Sequence, residues 1–129
     1  MKILVVDDSQ TQRRIIKNCV RGVPGYAGAE LIEALDGELA WRAISEHVID
    51  LILLDYNMPN LTGPQFIERI KNHPKYKDIP IIMITAEAAK YNVLEIMRKG
   101  VTAYIIKPMS VEKLIPKIID VMDKKGVTL

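Results

Sequence analysis

The sequence is poor in the residues that build metal and disulfide frameworks. It has one cysteine, Cys19, and two histidines, His47 and His73, in 129 residues. A single thiol excludes an internal disulfide framework and a multi-cysteine metal site. Two imidazoles argue against a histidine-rich zinc site. Charge of one sign is lacking too: 18 basic and 16 acidic residues leave a net charge of +2. Nucleic-acid binders gather basic residues on one face, whereas here they are spread along the chain, so direct nucleic-acid binding is not expected. Long apolar runs are missing as well. The N-terminus reads MKILVVDDS, with only Ile3 to Val6 apolar, too short for a signal peptide. No stretch approaches the roughly 18–20 residues of a membrane span. The expected compartment is the cytoplasm, with no membrane insertion.

What is present suits one globular domain spanning 1–129. The mass is 14.6 kDa, apolar residues make up 49% and charged residues 26%, so a sizeable core can form. Short apolar runs alternate with amphipathic stretches. The runs are Ile3 to Val6, Glu30 to Ala34, Leu51 to Leu54, Ile79 to Ile84 and Ala103 to Ile106. Most lack alternation, as strands covered on both faces do. The second alternates more and belongs nearer an edge, and Pro80 fits only the start of its strand. Between the runs the apolar period is helical: Ile15, Ile16, Cys19 and Val20; Leu39, Ala40, Ala43 and Ile44; Phe66, Ile67 and Ile70; Val93, Leu94 and Met97; and Val111, Leu114, Ile115, Ile118, Ile119 and Met122.

Helix ends carry their own signals. Ser9 and Gln12 have capping-box spacing, and Asp36, Thr62 and Ser110 can cap. Arg98-Lys99-Gly100 reads as a stop, and Pro116 should bend or shorten the last helix. Cys19, Trp41 and the methionines read as packing residues, His47 and His73 as surface residues. Five strand–helix units in a row imply an α/β fold, a mostly parallel sheet with helices on both faces.

Such sheets place their sites beyond the carboxyl ends of the strands. The first strand ends in Asp7-Asp8, the third in Asp55 followed by Tyr56-Asn57-Met58-Pro59, the fourth in Thr85, and the fifth reaches Lys107-Pro108. Three carboxylates on one rim repel one another and call for a cation. An all-oxygen set suits magnesium, which keeps several waters. A carboxylate can also attack phosphorus to give an aspartyl phosphate. Phosphoryl transfer needs in-line positioning and charge neutralisation by a metal, a lysine and hydrogen-bond donors.

The blocks ILVVDDS, LILLDYNMPNLTG, PIIMITAEA and AYIIKP, in that order at strand ends, resemble the receiver domain of two-component response regulators. The likeness covers nearly the whole chain, and DYNMPN and TAEAAKYN bring it nearest to single-domain chemotaxis regulators of the CheY type. The resemblance implies a flavodoxin-like (βα)5 sandwich with strand order 2-1-3-4-5. It implies Asp55 as phosphoacceptor, with magnesium held by Asp7, Asp8, Asp55 and the backbone carbonyl of Asn57. Lys107 would neutralise phosphoryl oxygens, Thr85 would donate its hydroxyl to them and move on activation, and Tyr104 would be the aromatic switch. Asn57 and Glu87 would tune dephosphorylation. The implied partners are a sensor histidine kinase or phosphotransfer protein upstream and a protein target downstream. That target would dock on the face of the fourth helix, fifth strand and fifth helix, near Lys90, Tyr91 and Lys99. The function expected is a phosphorylation-controlled signalling switch that catalyses only its own phosphorylation and dephosphorylation.

Two departures stand out. Thr62 occupies a position where aspartate is common, and Met109 one where phenylalanine is common; Met109 is expected to alter the partner surface. The Lys107-Pro108 bond is expected to be cis: X-Pro bonds alone make cis cheap, that geometry would aim Lys107 at Asp55, and the resemblance to receiver domains implies the same. Other readings fit less well. A haloacid-dehalogenase phosphohydrolase needs a second aspartate two positions after the first-strand nucleophile, where this chain has Ser9. A docking-only pseudo-receiver would not need the full set of acidic, hydroxyl and lysine positions. A flavodoxin-like electron carrier would need a phosphate loop after the first strand, and no GxxxxGK motif suggests nucleotide binding. No output segment is read after residue 124, so the chain acts by docking or belongs to a longer protein.

Overall fold

A computed structural model describes residues 1–56, 58–86, 94–95 and 97–124. Five strands, β1 (Lys2–Val6), β2 (Glu30–Ala34), β3 (Leu51–Asp55), β4 (Ile81–Thr85) and β5 (Ala103–Ile106), form one sheet. The order is β2-β1-β3-β4-β5, and every pairing is parallel. This is the flavodoxin-like arrangement, and β2 lies at an edge, as its alternation predicts. The helices are α1 (Gln10–Arg21), α2 (Gly37–Glu46), α3 (Gly63–Lys71) and a C-terminal helix (Val111–Lys124). Of the fourth expected helix, residues 94–95 and 97–98 are helical, and Val93 lies outside the described residues.

The sheet separates two apolar cores. Ile3, Val5, Leu53, Ile82 and Ile84 face α1 and the C-terminal helix through Ile16, Val20, Leu114 and Ile118. Leu4, Val6, Ile52, Leu54 and Met83 face α2 and α3 through Ala40, Ile44, Phe66 and Ile67. Because successive strand residues point to opposite faces, a strand covered on both sides is apolar along its covered length, as Leu51 to Leu54 and Ile81 to Ile84 are; Asp55 and Thr85, also buried, end β3 and β4.

Several helix ends form as their sequence suggests. Asp36 accepts from Leu39 N–H at 2.8 Å, and Ser110 Oγ from Lys113 N–H at 3.3 Å. Gly100 closes the helical segment before β5 at φ 103°, a left-handed conformation that favours glycine. Ser9 accepts from Gln12 N–H at 3.2 Å, but its own N–H donates to Asp7 Oδ1 at 2.9 Å instead of completing the box. The complete capping box belongs to Thr62 and Gln65.

Other expectations need correction. Met109, expected to alter the partner surface, is buried in the core beside α1 and the C-terminal helix, so it is a packing residue and not an exposed contact. Leu94 and Met97 are exposed and do not form a core stripe; Ile15, Leu39 and Ile119 lie at the exposed margins of theirs. Pro116 sits on the exposed side of the C-terminal helix, where water can satisfy the carbonyl it leaves free, and the helix runs on to Lys124. His73 is half-buried, stacked on Tyr76 with ring centroids 4.3 Å apart, and Trp41 meets both rings edge-on.

Candidate functional site

Parallel register builds the site. Val6 pairs with Leu54, so Asp7, one step beyond β1, comes alongside Asp55 at the end of β3. Asp7 is held by its own N–H to Ala34 O at 3.1 Å, and Arg13 Nη1 donates to its carbonyl at 2.7 Å. Asp7 and Asp55 are buried, while Asp8 is exposed. One carboxylate oxygen from each of the three lies within 4.8 Å of the others.

Lys107 reaches this cluster from across the sheet. Thr85 ends β4 beside Ile106, and Thr85 O accepts the Lys107 N–H at 2.8 Å. The Lys107-Pro108 bond is cis, as expected. Lys107 Nζ stands 3.2 Å from Asp7 Oδ2 and 3.3 Å from Asp55 Oδ1.

Burial first, then the neighbouring charges of Asp7 and Asp8, push the Asp55 carboxyl up to about 6, with Lys107 opposing them. Burial alone would lower the Lys107 ammonium, but the charges of Asp55 and Asp7 and its hydrogen bonds to both outweigh it, so its pKa is raised. Three carboxylates against one ammonium leave the cluster short of positive charge. An all-oxygen donor set at that spacing fits a hard divalent cation that keeps part of its water shell.

Thr85 is 1% exposed and lies on the sheet face of Met83. Tyr104, paired with Met83 across β4 and β5, lies on that same face, half-buried against the core beside α2 and α3. Lys117 Nζ sits 5.5 Å from its ring centroid. Asn57, Glu87, Lys90 and Tyr91 lie outside the described residues. Lys99 is exposed.

One contact beside the site has no counterpart in the sequence reading. Asp36, expected only as a cap, also accepts from Asn60 Nδ2 at 2.8 Å. The usable signal is the asparagine after Met58-Pro59, a residue type that tolerates the left-handed backbone found there at φ 65°.

Comparison with known proteins agrees with this geometry. Residues 3–119 match the model of the response regulator receiver domain. A chemotaxis protein CheY homolog of Campylobacter jejuni is 38% identical over 123 residues, 95% of this chain and 92% of that protein. Chemotaxis protein CheY1 of Helicobacter pylori is 40% identical over 119 residues, 92% of this chain and 94% of that one. The solved structure of chemotaxis response regulator CheY4 of Vibrio cholerae superposes with a TM-score of 0.82 at 32% identity. It covers 93% of this chain and 97% of that one.

Proposed function

The chain belongs to the response regulator receiver domain family, and from that premise we propose that Asp55 is the residue that takes the phosphoryl group. The protein is a phosphoacceptor response regulator, a signalling switch of a family whose members work with histidine kinases or phosphotransfer proteins and with downstream targets. The observation that carries the assignment of Asp55 is the convergence at one rim of Asp7, Asp8, Asp55 and Lys107.

On this reading residues 1–129 are one receiver domain working in the cytoplasm. Asp7, Asp8, Asp55 and the backbone carbonyl of Asn57 would hold magnesium. When bound, the ion would supply positive charge to offset that of the transferring phosphoryl group. An Asp55 oxygen forms the bond to phosphorus as the bond from phosphorus to the donor histidine nitrogen breaks, and the imidazole leaves. Lys107 then exchanges its contact with Asp55 for one to a phosphoryl oxygen. The chain catalyses this step and the later hydrolysis, which Asn57 and Glu87 tune.

Thr85 donates its hydroxyl to the phosphoryl group and moves towards it, and Tyr104 turns inward behind it. This is a population shift driven by the phosphoryl group's preference for one packed state. The output face comprises the helical segment before Gly100, β5 and the C-terminal helix. Its exposed apolar side chains Leu94, Met97 and Ile106, with Lys113 and Lys117 beside Ile106, suit a protein target carrying apolar and acidic groups. The names of the curated relatives make chemotaxis the pathway to test first.

Acetyl phosphate with magnesium should add one phosphoryl group, trapped by borohydride at Asp55. Neither Asp55→Asn nor the chelator-treated protein should take the label. Labelling that persists in Asp55→Asn would overturn the assignment. Thr85→Ala and Tyr104→Ala should still label while losing phosphorylation-dependent target binding.

A further inference from the structure

Asp36 is buried at 6% exposure, and its two oxygens do different things. Oδ1 takes the Leu39 N–H at 2.8 Å and caps α2, a task for which one oxygen is enough. Oδ2 reaches out of the helix to Asn60 Nδ2, also at 2.8 Å. Asn60 lies in the segment that runs from Asp55 to α3.

That segment is fitted closely at several points. A Cβ on Gly37 would stand 2.4 Å from Leu61 O, so residue 61 lies directly on the first turn of α2. Leu61 itself is buried in the core beside α2 and α3. At the far end, a Cβ on Gly63 would meet Tyr56 O at 2.8 Å and Asp55 O at 2.9 Å. The Gly63 N–H donates to Tyr56 O at 3.2 Å. Gly63 is therefore packed onto the backbone of Asp55 and Tyr56, and Asn60 is pinned to the start of α2 by Asp36. A hydrogen bond to a carboxylate is stronger than one between neutral groups, and Asn60 makes it from a left-handed backbone that few residues accept.

We propose that the Asp36–Asn60 hydrogen bond is a latch that positions the segment after Asp55 for a divalent cation, making Asp36 and Asn60 positioning residues for the acidic rim. The proposal rests on the function proposed above. It adds two residues that touch neither cation nor phosphoryl group and act by holding the backbone between Asp55 and Gly63 in place.

Three variants of the full chain separate the latch from the cap. Asn60→Gly permits the positive φ, removes the donor and leaves the cap intact. Asp36→Asn keeps a capping oxygen but sets donor against donor. The double exchange, Asp36→Asn with Asn60→Asp, reverses the hydrogen bond, and aspartate also accepts the left-handed backbone. Two readouts apply: calorimetric magnesium affinity of the unphosphorylated protein, and amide exchange of Gly63 in chelator.

Each single variant should weaken magnesium binding about tenfold, the low end for partners that orient metal ligands, and speed Gly63 exchange by a similar factor. In Asn60→Gly the capped Leu39 amide should exchange as in the parent. The double exchange should restore both readouts to within about twofold, as a partner-orienting bond remade in reverse requires. Parental magnesium affinity in Asn60→Gly would overturn the latch, and so would a double exchange that restores neither readout. If Asp36→Asn does not fold, Asn60→Gly decides alone. Asp55→Asn, labelled in parallel, keeps the two readings apart. If it loses the label while Asn60→Gly binds magnesium normally, only the latch fails; if it keeps the label, the underlying function fails.

Discussion

The strands and the rim they end in are built on opposite rules. Along β1, β3 and β4, Ile3 to Val6, Leu51 to Leu54 and Ile81 to Ile84 are 0% exposed and wholly apolar. One residue further on, the same strands deliver Asp7, Asp55 and Thr85, almost as deeply buried. The apolar stretches stabilise the fold through area removed from water. The rim works against it, because buried carboxylates that repel one another are costly. The contrast locates function where burial is spent on charge, and it explains why a single lysine, Lys107, is drawn between two of the acids.

Mutations on the two sides should therefore have opposite signs. The largest effect is expected within the strands. Leu53→Ala removes a fully buried side chain from the core beside α1 and should cost about 3–4 kcal/mol in urea unfolding. On the rim, Asp55→Asn should stabilise the metal-free protein. The folded carboxyl holds its proton to about 6, whereas the unfolded one releases it near about 3.9. The folded state thus binds more protons within that window, and the parent loses stability as pH rises through it. The asparagine variant does not pay this cost, so its advantage should grow across the window to at most about 3 kcal/mol. It should vanish below the window and shrink when magnesium is added. Denaturant melts in chelator across that pH range test both sign and window. The smallest effect belongs to a local device outside both regions. Thr62→Ala breaks the capping box with Gln65 and should cost about 1 kcal/mol by the same melts.

The apolar side of this contrast was legible because it is written in consecutive residues. Runs such as Leu51 to Leu54 declare a two-sided burial that only a central strand needs, and the alternation of Glu30 to Ala34 marks an edge. The rim was legible because the strand ends bring one short motif each, in chain order, to a common side. Fine exposure was less so: Leu94 and Met97 continue a helical period yet face outward, since period reports a stripe but not what covers it. Met109 stands out in the sequence because phenylalanine is common at that position, and only the packing of the C-terminal helix shows it to be core. The bond between Asp36 and Asn60 spans 24 positions and links two loops whose approach depends on the finished sheet. Propensity could suggest a cap and a left-handed asparagine, but not that they meet.

The central claim is that the sheet holds Asp55 as a buried, charge-crowded carboxyl that a divalent cation relieves. Titration of the Asp55 side-chain carboxyl carbon by NMR in metal-free protein measures this directly. A midpoint near about 6 that falls on adding magnesium is the result expected. A midpoint at the ordinary aspartate value of about 3.9, unmoved by magnesium, would contradict it.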